Sequence, residues 1–168
     1  MVIEHILGAT SEEKYRGAKL DFVEIDWYDC QKKIHRKISR SGRDIAIRLD
    51  EEMQHRGLQQ GDVLLADGET AVVVDIPAVK AIVAKAESPQ QIAKICYEIG
   101  NRHAPLYYVN YTENYFAIPY DTPFELLFTK LGIAYEVKNI NLDIRQRISG
   151  TADHAHTHDH REMHNHGA

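Results

Sequence analysis

The second half of the chain alternates strand and helix signals in one order, and that order restricts the fold more than any other feature of the sequence. Residues 79–84 form an apolar run of strand length. Ser88-Pro89-Gln90-Gln91 then opens a helix: Ser88 can cap, Pro89 suits the first helical position, and Gln91 can reach back to close a capping box. Ile92, Ile95, Cys96 and Ile99 follow at helical spacing on an apolar face, with Gly100 placed to end the helix in a left-handed conformation. Residues 106–110 and 115–120 read as strands around a turn at Thr112-Glu113-Asn114. Thr122-Pro123-Phe124-Glu125 repeats the capping-box pattern, and Phe124, Leu127, Phe128 and Leu131 line the next helix. Gly132 stops it, and residues 134–137 return as a strand. The order β-α-β-β-α-β is that of the ferredoxin-like fold.

The first half has a different texture. Short β-branched and aromatic segments at 20–27, 34–39, 44–49, 61–65 and 71–76 are separated by turn signals, with a helical turn at 51–56 stopped by Gly57. This predicts an α+β chain: a small β-rich N-terminal domain over 1–77, then a ferredoxin-like domain over 78–149. Residues 143–149 read as a charged, helical exit. Residues 150–168 carry almost no apolar content, cannot offset the entropy of ordering, and are expected to be disordered without metal.

Six of the ten histidines fall in that tail: His154, His156, His158, His160, His164 and His166. Neutral imidazole suits nickel, copper and zinc, and Asp153, Asp159 and Glu162 add oxygen donors. A purification tag would be an uninterrupted run, which this is not. Imidazole alone does not select nickel, since copper stands above it in the Irving–Williams order. Elsewhere, His103 lies just past the first helix, where the partial negative charge of a helix C-terminus favours a cation.

Other classes are disfavoured. No apolar run approaches the roughly 20 residues needed to cross a bilayer, and the N-terminus lacks a secretory signal. Two distant cysteines, Cys30 and Cys96, argue for a reducing compartment, the cytoplasm. A net charge of −5 argues against nucleic acid, although Lys32, Lys33, His35, Arg36, Lys37, Arg40 and Arg43 form a basic cluster, read first as a solvated strand face. His160 and His164 stand four apart, but Glu162 is displaced from the metalloprotease arrangement. No phosphate-cradling loop is present, and an enzyme is not expected. Cys96 reads as packed and Cys30, beside Asp29, as unreactive.

Ile99-Gly100-Asn101-Arg102-His103-Ala104-Pro105-Leu106 resembles the hallmark segment of the UreE family, the urease accessory proteins that carry nickel. Gly61-Asp62-Val63-Leu64 resembles a segment of that family's first domain, and many members end in a histidine-rich tail. The resemblance implies a cytoplasmic homodimer in which His103 of each subunit binds one metal ion at the interface. It implies a chaperone that delivers Ni²⁺ to apo-urease with its accessory complex, especially the GTPase accessory protein, with Zn²⁺ and Cu²⁺ as competitors in vitro. Some members carry further histidines after the second hairpin strand. Here that region reads Ile118-Pro119-Tyr120-Asp121-Thr122, so ligands beyond His103 must come from the tail, the partner subunit or water. The alternative is a nickel or zinc store with a peptide-binding domain. Because imidazole must be neutral to bind, with a reference pKa near ~6.5, metal affinity is expected to fall steeply below about pH 6. Affinity unchanged at about pH 5 in a nickel titration would rule out histidine ligands.

Overall fold

Short strands with one or both faces buried build the first half. The structure, a computed structural model, describes residues 2–110 and 112–148. In order come β1 (Val2–Ile3), β2 (Gly8–Ala9), a 3-10 turn at Glu13–Tyr15, β3 (Lys19–Glu24), β4 (Ile34–Ile38), β5 (Asp44–Arg48), α1 (Glu51–Arg56), β6 (Asp62–Asp67) and β7 (Thr70–Asp75). They form two sheets, ordered β1-β5-β4 and β2-β6-β7-β3. Ile45 and Ile47 of one sheet and Val23, Leu64, Val72 and Val74 of the other share a buried core. The alternate residues of β7, Ala71 and Val73, pack on the other side against Tyr15, Ala18 and Phe22. A strand covered on both faces reads as a continuous apolar run, which is what 71–74 shows.

The Gly61-Asp62 pair has a structural role. Asp62 is buried and accepts a forked pair of bonds from Arg56 at 2.7 and 2.8 Å, with a third from the Gln59 N–H at 2.8 Å. This ties α1 to the start of β6. Asp50 caps α1 by accepting from the Met53 N–H at 2.8 Å, and Gly57 leaves it at φ 73°. At Gly57 a β-carbon would stand 3.2 Å from Gln31 Cγ and 3.4 Å from Ile144 Cγ2, so glycine there admits a segment from the far end of the chain.

The second half continues with β8 (Val79–Lys85), α2 (Pro89–Asn101), β9 (Leu106–Asn110), β10 (Tyr115–Pro119), α3 (Thr122–Leu131), β11 (Tyr135–Ile140), a 3-10 turn at Ile144–Gln146 and β12 (Arg147–Ile148). The sheet order is β11-β8-β10-β9-β12, antiparallel throughout. Leaving β12 aside, the four strands stand 4-1-3-2, the ferredoxin-like arrangement expected from the sequence. Ile95 and Ile99 of α2 and Phe128 of α3 cover one face, against Ile82, Ala84, Phe116 and Ile118. The other face, with Val83, Tyr107 and Ala117, meets Leu142 and, from the first half, Trp27.

Three local expectations change. The α3 capping box does not form: Asp121 is the N-cap without a side-chain bond, and Glu125 instead accepts from the Tyr120 hydroxyl at 2.7 Å. Cys96 lies on the exposed side of α2, not in its packed face. The exit after Leu142 is one 3-10 turn followed by β12, too short for any periodicity to announce it.

His35 is buried in β4, and its Nε2–H donates to the Lys32 carbonyl at 2.9 Å, which fixes the tautomer. Burial opposes its charged form and holds its pKa below the ordinary 6.5. Between that depressed value and 6.5 the unfolded chain binds more protons, so this part of the stability is present above about pH 6.5 and is lost as pH falls toward the folded value. In urea denaturation the wild-type midpoint is expected to drop between about pH 7 and about pH 5.5, and His35→Gln to blunt that drop. An equal drop in both proteins would dissociate His35 from it.

Candidate metal centre

The C-terminus of α2 closes by a six-residue turn whose geometry is set by hydrogen bonds. Arg102 is the C-cap, and its N–H donates to Ile99 O at 3.1 Å. The His103 N–H donates to Gly100 O at 2.9 Å and the Ala104 N–H to Ile99 O at 3.3 Å. This is the Schellman pattern, with Ala104 joining Ile99 in the apolar cluster beneath. Such a turn needs one residue at positive φ, and here it is His103, at 54°. Gly100, expected from the sequence to supply that conformation, lies inside the helix. A β-branched-free imidazole residue in a position that glycine fills most easily carries a backbone cost of about 1 kcal/mol.

The turn presents His103 to solvent. The Arg102 side chain folds back one turn, donating to the Glu98 carbonyl at 2.8 Å and to Glu98 Oε2 at 2.5 Å. Among the described residues, no group of three or more His, Cys, Asp or Glu stands where it could hold a metal ion. His103 therefore belongs to no such group among the described residues. The other expected ligands, His154, His156, His158, His160, His164 and His166, lie outside the described residues. His35 is spent on Lys32, and His5 and His55 lie in the first half.

The remaining side chains singled out by sequence resolve into structural roles. Tyr120 is committed to Glu125, and the Lys80 ammonium sits 3.5 Å from its ring centre. Four cations of the basic cluster are paired: Lys32 with Asp29, Arg36 with Asp44, Lys37 with Asp26, and Arg40 with Glu24 and Asp75. Cys30 is buried, and burial together with the neighbouring carboxylates pushes its thiol up to about 12. Burial raises the Cys96 thiol as well, although the residue as a whole is exposed. Neither is an activated nucleophile.

Comparison with known proteins settles the family. The model of the UreE urease accessory protein N-terminal domain matches residues 3–77, and that of the C-terminal domain matches 78–167. The chain belongs to the UreE urease accessory protein family. It is 37% identical over 155 residues to the urease accessory protein UreE of Helicobacter bizzozeronii, covering 92% of this chain and 86% of that one. It is also 37% identical to the UreE proteins of Helicobacter acinonychis, strain Sheeba, over 154 residues, and Helicobacter pylori, strain G27, over 155. Those alignments cover 92% of this chain and 89% and 90% of the relatives. Membership assigns the chain to urease maturation as an accessory chaperone, not an enzyme. Among the described residues no helix is long and apolar enough to cross a membrane.

The motif around His103 does not announce the turn that holds it, nor the partner of Arg102, Glu98. The i, i+4 spacing of Glu98 and Arg102 was the available signal for that pair. Because position 103 favours glycine for conformational reasons, His103→Gly is expected to raise stability by roughly 0.5–1 kcal/mol over His103→Ala. Equal denaturation midpoints for the two variants would contradict a strained histidine.

Proposed function

We propose that this chain is a nickel metallochaperone that delivers Ni²⁺ to apo-urease, with nickel as its cargo and His103 of two copies as the shared station. The observation that carries this reading is an exposed histidine, held at positive φ, that belongs to no group of three or more His, Cys, Asp or Glu able to hold a metal among the described residues. A donor so placed is useful only to something brought from outside.

Two features say what is brought. Ala93, Cys96, Tyr97 and Gly100 fall at i, i+3, i+4 and i+7 on the exposed side of α2, with Tyr97 70% exposed, and this stripe ends on His103. A second copy laid against it about a two-fold axis would bring the two imidazoles together, because such an interface is self-complementary. Tail histidines are the second source. In β12 Ile148 stands opposite Leu106, three residues from His103, and His154 follows only six residues later. Six residues span at most about 20 Å, enough to return to the site.

In this reading residues 1–77 form a partner- or peptide-binding domain, 78–149 the metal-binding domain and 150–168 a capturing tail. The work is done in the cytoplasm beside the GTPase accessory protein. Few protein ligands at a surface site let the ion pass stepwise by ligand exchange, without a bare ion at any stage. An imidazolium gives up its proton to solvent before the neutral ring can accept Ni²⁺, so uptake is favoured as pH rises through the imidazole range.

The experiment is calorimetric Ni²⁺ titration with light scattering, on the full chain, on His103→Ala, and on a full-length variant with the six tail histidines changed to Asn. A two-fold site predicts about one ion per dimer for the tail variant, lost in His103→Ala with the dimer intact. Nickel transfer to apo-urease should fall with it. If His103→Ala binds and transfers as the wild type does, while the tail variant binds nothing, storage by the tail is the better reading.

A further inference from the structure

A metal ion held between two copies of His103 has two copies of Arg102 as sequence neighbours. The guanidinium is charged at any pH the protein meets, and its reach is long enough to approach an ion on the next residue. Left free, two such groups would repel Ni²⁺ and cancel the negative field that the end of α2 supplies. The side chain is not free. Its Nη1 donates to Glu98 O at 2.8 Å and to Glu98 Oε2 at 2.5 Å, one helical turn back from His103.

The backbone explains why that position is open. The Arg102 N–H turns to Ile99 O in the tight i to i−3 closure, so the Glu98 carbonyl receives the guanidinium N–H in place of a main-chain donor. The Glu98 carboxylate then holds the same guanidinium and balances its charge.

The geometry points to Glu98 and Arg102 as a positioning pair that withdraws the arginine charge from the ion at His103 and leaves the helix end receptive to a cation. The inference rests on the reading of His103 as a nickel ligand. Neither residue touches the metal: Glu98 acts through Arg102, and Arg102 acts by being elsewhere. Glu98 fixes how tightly the shared station holds its cargo, which in a delivery protein sets how readily the ion is passed on.

The test is Ni²⁺ titration of the full chain by calorimetry, following the binding step that His103→Ala removes. Glu98→Gln keeps the size and polarity of the side chain but leaves the guanidinium charge unbalanced, and is expected to weaken that step roughly tenfold. The deficit should shrink as salt rises from about 50 mM to about 500 mM. Arg102→Gln alone should bind at least as tightly as the wild type, and the double variant Glu98→Gln/Arg102→Gln should return to near the wild-type affinity. A merely structural cap predicts the reverse for Arg102→Gln, and the double variant would then be the weakest. Arg102→Gln as weak as Glu98→Gln, a Glu98→Gln step equal to wild type, or a double variant without recovery each overturns the pair. If His103→Ala removes no step at all, the site itself is wrong and the pair falls with it, an outcome that stands apart from the other three.

Discussion

A sheet with helices on one side must find cover for its other face, and the architecture of this chain follows from how that is done. Val83, Tyr107 and Ala117 present an apolar surface away from α2 and α3. Leu142 covers part of it from the segment after β11, and Trp27 from the first half meets the edge of Tyr107 at 6.2 Å between ring centres. Such aromatic contacts are worth about 1 kcal/mol beyond the area they bury. The same burial pushes the Tyr107 phenol up to about 12, so the ring behaves as packing and not as a proton donor near neutrality. Further ties join the halves along this seam: Asn141 donates to the Ile76 carbonyl, and Ile144 approaches Gly57. The segment from 141 to 148 therefore touches both halves before β12 pairs with the strand that leads away from His103.

Long elements with strong periodicity were legible in the sequence. The βαββαβ order, the β4–β5 hairpin, the Ser88 cap of α2 and the Gly132 stop of α3 all follow from spacing and turn chemistry, and the structure has each of them. What escaped depends on tertiary competition. Glu125 had capping-box spacing from Thr122, but α3 begins one residue earlier, with Asp121 as N-cap, and Glu125 accepts from the Tyr120 hydroxyl instead. Gly100 looked like a helix stop, yet the hydrogen bonds of the closing turn place the left-handed residue three positions later. Cys96 matched the apolar spacing of Ile92 and Ile99 while pointing away from the core, because a stripe three residues wide leaves its margin exposed. His103 stood out through its family motif. The turn that holds it at positive φ did not, since that is set by hydrogen bonds made in space.

The donor chemistry of the molecule is correspondingly narrow. Both thiols are held above their ordinary pKa, Cys30 most of all, so thiolate is not on offer near neutral pH. Arg36 and Arg40 of the first half are paired with carboxylates, Arg36 with Asp44 and Arg40 with Glu24 and Asp75. Imidazole is a ligand borderline in softness and released by a modest drop in pH. That suits exchange better than retention.

The placement of β12 has a kinetic meaning. Its two residues leave the chain beside Leu106, and six residues separate Ile148 from the first tail imidazole. Under the proposed function, a tether of that length would let His154 meet His103 at an effective concentration on the order of millimolar, whatever the concentration of protein. Exchange of an ion between tail and turn would then be first order in protein and indifferent to dilution. Exchange between separate molecules would not, so on that reading the two-residue β12, by fixing where the tail departs, would favour the first exchange over the second.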